Sequence, residues 1–121
     1  MTRRPPLCYV SGPISRPAHR VERNLLRGIA VSLRLLEEGY CVYSPFALSF
    51  FSYRKIGLAE PGTARYEGLM QNDIAWVRVC DCVLRLPGFS AGAEREVLAA
   101  MQAGIPVFTS LGDLRRWMPV P

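Results

Sequence analysis

Two hydrophobic periods alternate along this chain. Leu7-Cys8-Tyr9-Val10 is a short apolar run ending at Ser11-Gly12-Pro13, the pattern of a buried strand entering a turn. From Val21 the apolar positions Leu25, Leu26, Ile29, Ala30, Leu33 and Leu36 follow helical spacing, with Arg23, Arg27, Arg34, Glu37 and Glu38 on the other side and Gly39 as the stop. Tyr40-Cys41-Val42-Tyr43 reads as a second strand, closed by Ser44-Pro45. Strand, helix, strand is the parallel crossover unit.

The segment from Phe46 to Ala64 is the least regular, aromatic first (Phe46, Phe50, Phe51, Tyr53) and then turn-rich at Pro61-Gly62. It reads as an irregular connection that serves as a lid, as a contact between copies or as core packing. Tyr66, Met70, Ile74 and Val77 then recur at helical spacing and predict a helix up to Val79. A third strand, Asp81 to Leu86, runs into the small-residue turn Pro87-Gly88-Phe89-Ser90-Ala91-Gly92. A helix is expected from about Ala93 to Ala103, with Val97, Ala100 and Met101 as its apolar face and Gly104 as its stop. Ile105 to Phe108 is a fourth strand, and Leu111 to Trp117 a short closing helix. The alternation predicts an α/β fold: a doubly wound, Rossmann- or flavodoxin-like parallel sheet of four to five strands with flanking helices.

With 121 residues, half of them hydrophobic, the chain is expected to form one domain over residues 1–121 with a genuine core. Cys8, Cys41, Cys80 and Cys82 show no CxxC spacing, and His19 is the one histidine. Buried free thiols in a reducing cytoplasm are therefore expected, with no metal and no cofactor. The basic N-terminal segment is too short and too punctuated for a signal peptide, and the uncharged run from Gly39 to Tyr53 is too short to span a membrane. The net charge of +5 comes from arginine, Lys55 being the one lysine. Arginine suits phosphate, but these arginines are scattered, which argues for a generally basic surface over a nucleic-acid footprint.

If the first and third strands are neighbours, the turns at Ser11-Gly12-Pro13 and Gly88 to Gly92 face one another across the crevice at the carboxyl edge of the sheet. A phosphate fits against Ser90 and the N–H groups near Gly92 and Ala93, although an ordinary helix cap explains the same residues. GxGxxG and GxxxxGK[ST] are both absent. Glu96 is expected in the first turn of its helix, where its plainer reading is a carboxylate that only complements the helix dipole. In its functional reading the same field keeps it ionised and able to attack an anomeric carbon. Glu94 lies about 200° away around the helix, so one of the two at most faces the crevice. Asp73 borders the apolar face at Met70, and a solvated carboxylate is its plainer reading. For Asp81, at the head of the third strand, a structural hydrogen bond is expected.

Tyr9-Val-Ser-Gly-Pro-Ile-Ser15, Asn24, Gly39-Tyr40-x-Val42-x-x-Pro45, Asn72-Asp73-Ile74, Cys80-Asp81, Leu86-Pro87-Gly88 and Ser90-x-Gly-Ala-x-x-Glu96 together resemble the nucleoside 2-deoxyribosyltransferase superfamily, and within it the DUF4406-type branch. Deoxynucleoside 5′-monophosphate N-glycosidases are the better understood relatives. The resemblance runs from Tyr9 to Val107. It implies cleavage of the N-glycosidic bond of a 2′-deoxynucleoside or its monophosphate, with Glu96 as nucleophile, Asp73 contacting sugar or base and helping the leaving base take a proton, and Tyr9 orienting Glu96. A binding set of Ser11, Gly12, Ser15, Arg16, Ser90, Gly92 and Ala93 is expected from the two facing turns and their neighbours. Transferases acting on free nucleosides carry an aspartate six residues before the nucleophile; Ser90 stands there and favours a 5′-monophosphate. Where the nucleotide hydrolases have a serine and an arginine in the first turn, this chain has Pro13 and Ser15, with Arg16 and Arg20 close by. The rival readings are a base-exchanging deoxyribosyltransferase and a nucleotide-binding sensor without turnover. Relatives are homodimers or higher homo-oligomers in which a neighbour completes the pocket, which makes Phe46 to Tyr53 and Ser110 candidates for that contact.

Overall fold

Strand β1 (Leu7–Ser11) is the centre of the molecule. In the computed structural model, which describes residues 3–121, it pairs in parallel with β2 (Cys41–Tyr43) on one side and β3 (Cys82–Arg85) on the other. Strand β4 (Val107–Phe108) adds to β3, giving the order β2-β1-β3-β4. Met1 and Thr2, where the basic N-terminal segment and the expected domain begin, lie outside the described residues. The four parallel strands and five flanking helices are the α/β architecture the periodicity predicted, and the order matches the flavodoxin-like arrangement. The switch point falls between β1 and β3, where Ser11 is the register partner of Arg85.

The pleat sends alternate side chains of β1 to opposite faces. Cys8 and Val10 join Val21, Leu25, Leu35, Phe46 and Leu114 in one core layer. That layer is covered by α1 (Val21–Glu37), α2 (Pro45–Ile56) and α5 (Leu111–Trp117). Tyr9 points the other way, into a second layer with Met70, Ile74, Val77, Ala99 and Ala100. Those residues come from α3 (Ala64–Val77) and α4 (Ala91–Gln102). The four thiols are free, as expected, with Cys8, Cys80 and Cys82 buried. Asp81 also takes its expected structural role, accepting the Leu7 N–H at 2.7 Å and pairing with Arg4.

Three expectations are corrected. Residues 45–56 are a helix, where the pattern suggested an irregular connection. Ser44 and Pro45 do not merely end β2; they are the N-cap and first residue of α2, a position where proline's missing N–H costs nothing. Helix α1 is rotated from the face its leucines suggested: Val21, Asn24, Leu25, Gly28, Ser32 and Leu35 are buried, while Leu26, Leu33 and Leu36 are about half exposed. Gly28 is buried because the Phe46 ring of α2 lies against its backbone and fills the space a side chain would take. On α4 the buried stripe is Ala93, Glu96, Ala99 and Ala100, and Met101 is exposed.

Candidate active site

The carboxyl ends of β1 and β3 open into a cleft of about 820 Å³. Its walls are the turn after β1, the turn after β3, the heads of α1 and α4, part of α3, and the 57–63 connection through Leu58, Ala59 and Pro61. That connection and Ser49 of α2 thus bring the segment from Phe46 to Ala64 to the site, while Phe46 itself is core. Asn24 of α1 fixes the first turn by donating to the carbonyls of Ile14 (3.2 Å) and Arg16 (2.9 Å).

Glu96 lines the cleft and is 5% exposed. It sits in the second turn of α4, one turn later than expected, and the first-turn acid is Glu94. Of the two, Glu96 faces inward, and the exposed Glu94 pairs with Arg85 at 3.1 Å. Because Tyr9 and Ser11 share one face of β1, both reach the helix stripe that carries Glu96. The Tyr9 hydroxyl donates to Oε2 at 2.6 Å and the Ser11 hydroxyl to Oε1 at 2.7 Å. Burial pushes the Glu96 carboxyl up to about 7, against the pull of these two hydrogen bonds. The expectation that the helix field holds it ionised is therefore overturned, since Glu96 lies beyond the first turn and loses its hydration. Burial raises the Tyr9 phenol as well, so it stays protonated and remains a donor.

Asp73 is half-buried on α3 and lines the same cleft, so the solvated reading does not hold. Burial pushes it up to about 6, opposed by hydrogen bonds from Asn72 and Tyr43. The Tyr43 hydroxyl lies 3.4 Å from Asp73 Oδ1 and accepts from Asn72 Nδ2 at 3.0 Å. The Tyr43 ring stacks between Tyr9 and Trp76, with centroids at 5.4 Å and 5.0 Å. Tyr43 thus buttresses both carboxylate neighbourhoods. Sequence reasoning passed over it as an ordinary strand residue, although its place at the carboxyl end of β2 was a signal.

Gly12, Ser15, Arg16, Ser90, Gly92 and Ala93 all line the cleft. Ser11 does not serve there as a ligand contact, because it is fully buried with its hydroxyl on Glu96. Ser90 is also the N-cap of α4: its Oγ accepts the Ala93 N–H at 3.0 Å, so that N–H is not free for a ligand. The N–H groups of Ala91 and Gly92 have no intrahelical partner and remain at the helix head. Ser110 caps α5, accepting the Asp113 N–H at 3.1 Å. Among the described residues, no three His, Cys, Asp or Glu side chains converge to hold a metal, and no helix is long and apolar enough to cross a membrane.

A buried carboxylate gripped by two hydroxyls, a second carboxylate across the cleft and a polar helix head can together attack an electrophilic carbon, pass a proton and hold an anion. The family model described as Domain of unknown function (DUF4406) matches residues 6–109. A solved structure of 2-deoxyribosyltransferase from the psychrotolerant bacterium Bacillus psychrosaccharolyticus aligns with a TM-score of 0.59 at 20% identity, over 84% of this chain and 69% of that one. At that identity the likeness is one of fold. No protein of curated function matches the chain.

Proposed function

The chain belongs to the DUF4406 family, a domain of unknown function, and carries a 2-deoxyribosyltransferase-like fold; from this we propose that it hydrolyses the N-glycosidic bond of 2′-deoxynucleoside 5′-monophosphates through a covalent glycosyl-Glu96 intermediate. The observation that carries the reading is the buried Glu96 carboxylate, aligned by Tyr9 and Ser11 at 2.6 and 2.7 Å on the floor of the cleft.

In the first step a Glu96 oxygen attacks C1′ and the C1′–N bond breaks. The departing electron pair goes to the base nitrogen, which takes a proton from Asp73. In the second step water attacks C1′ and gives a proton to the Asp73 carboxylate, and the C1′–Glu96 ester bond breaks. The products are free base and 2-deoxyribose 5-phosphate, with both carboxyl groups restored. A 2′-deoxyribose has no electron-withdrawing 2′-hydroxyl, so positive charge develops at C1′ more easily and few catalytic groups suffice. Raised values of about 7 for Glu96 and about 6 for Asp73 place both groups near the working range of a nucleophile and a proton donor. The apolar wall at Leu58, Leu69 and Met70 suits the base, and the head of α4 suits the phosphate.

Transfer to a second base in place of water would follow the same first step, and the solved relative, a 2-deoxyribosyltransferase, keeps that reading in play. The test is release of free base from a panel of deoxynucleotides, with Glu96→Ala as control and a second free base added to half the reactions. Base release that the substitution abolishes, without a new nucleoside, is expected. A new nucleoside would make the chain a transferase, and tight binding without turnover by either form would make it a sensor.

A further inference from the structure

We propose that Arg27 is the cation that reads the 5′-phosphate, holding it against the turn after β3 and setting the preference for nucleotide over nucleoside; this inference rests on the deoxynucleotide reading above. Helix α1 places Asn24 and Arg27 one turn apart on one face, so Asn24 grips the turn after β1 while Arg27 reaches the turn after β3. Arg27 lines the cleft, and its guanidinium donates from Nη2 to the Pro87 carbonyl at 3.0 Å. Its Nε is buried without any hydrogen-bond partner, and among the described residues no carboxylate comes within ion-pair distance of it. A guanidinium drawn partly out of water without a counter-charge is unfavourable, and an anion in the cleft relieves that.

The other arginines near the turn are placed differently. Arg85 is committed to the carbonyls of Leu86 and Gly88 and to Glu94, with 12% of its side chain exposed. Arg16 and Arg20 line the mouth but are exposed. Arg27 is half-buried and held at one edge by Pro87, which leaves Nη1 and the second Nη2 hydrogen to meet phosphate oxygens beside Ser90 and the α4 head. The wall where Pro13 stands, packed against Gly88, then needs no hydroxyl of its own.

The test compares dissociation constants for the four deoxynucleoside 5′-monophosphates and their nucleosides in the wild type, Arg27→Gln and Arg27→Lys, with melting curves to verify folding. The wild type should bind the monophosphate at least about tenfold more tightly than the nucleoside, the worth of one charged hydrogen bond. Arg27→Gln should erase that gap while leaving nucleoside affinity in place, and Arg27→Lys should retain part of it. If Arg27→Gln weakens nucleotide and nucleoside equally, Arg27 only braces the Pro87 carbonyl and the inference falls, while the nucleotide reading stands. A wild type that binds both equally well overturns the nucleotide reading and this inference with it. Should Arg27→Gln not fold, an undiminished gap in Arg27→Lys overturns the bidentate role.

Discussion

The Tyr9 hydroxyl and Oε2 of Glu96 lie 2.6 Å apart, although 87 positions separate them in the chain. The contact joins the central strand to the helix behind it at the one edge of the sheet where ligands gather. Tyr9 is fully buried, so its geometry is set by core packing and does not await a ligand. Tyr9→Phe keeps the packing and removes the donor. Losing one hydrogen bond to a charged group should lower kcat/KM by about ten- to hundredfold. Because Glu96 titrates above Asp73, the alkaline limb of the pH profile follows Glu96; the Tyr9 hydrogen bond pulls the Glu96 carboxyl down, so its removal should also move that limb to higher pH. A pH–rate series on the variant measures both effects, and an unmoved limb would show that Tyr9 does not act on Glu96.

Asp73 bears on the same profile from the other side. Attack requires Glu96 ionised and base departure requires Asp73 protonated, so groups near 7 and 6 confine activity to a bell centred between those values. Asp73→Asn cannot supply the proton, and residual activity should be lower without its alkaline decline. One ascending limb should remain, set by Glu96 alone, with its midpoint below about 7 because the Asp73 charge that helps raise Glu96 is gone. With a substrate whose leaving base needs no proton, the first release of base should recover in Asp73→Asn, while the water step that Asp73 also serves stays slow.

Much of this site was legible before any coordinates. The strand-turn-helix pattern located both turns, the common doubly wound orders offered β1 beside β3 as a condition, and the 200° between Glu94 and Glu96 left at most one of them inward. What stayed hidden depended on packing between distant segments. Leu26, Leu33 and Leu36 outweigh Gly28 and Ser32 in any hydrophobic pattern, yet the small residues face the core because Phe46 needs the room. Helix α2 carries Leu48 and Phe51 outward as well as Phe46 inward, so its apolar residues lie all round and show no period. Arg27 reads as one more charge on a polar face until the turn after β3 is seen to come up against it.

The Gly28–Phe46 contact gives a stability prediction that is independent of catalysis. A methyl at Gly28 would meet the Phe46 ring, which is itself fully buried against Val10 and Leu25 in the same layer. Gly28→Ala should therefore destabilise the fold by about 1–3 kcal/mol, despite alanine's better helix propensity. The double variant Gly28→Ala with Phe46→Leu should recover part of the loss, as the smaller side chain makes room. Chemical denaturation of the wild type, Gly28→Ala, Phe46→Leu and the double variant tests this, and additive losses in the double variant would contradict it.

Glu96 should cost the fold stability in the pH range where it is useful. Its carboxyl titrates near 7 in the folded protein against an ordinary value of 4.5. Between those values the folded state holds a proton that the unfolded chain has already released, so stability falls as pH rises from about 4.5 to 7, and the full cost is present above that. Glu96→Gln removes the titration and keeps the shape. Its amide oxygen accepts one hydroxyl, and the other hydroxyl rotates to accept from the amide nitrogen. At pH 5, where Glu96 is largely protonated, the variant and the wild type should melt at similar temperatures. At pH 8 the variant should be the more stable by on the order of 1–3 kcal/mol, while losing activity. Asp73 titrates with the same sign in both proteins, so only its coupling to Glu96 enters the comparison. A stability difference that does not grow between pH 5 and pH 8 would mean that Glu96 is solvated and ionised throughout, and with it would go the desolvated nucleophile on which the proposed chemistry stands.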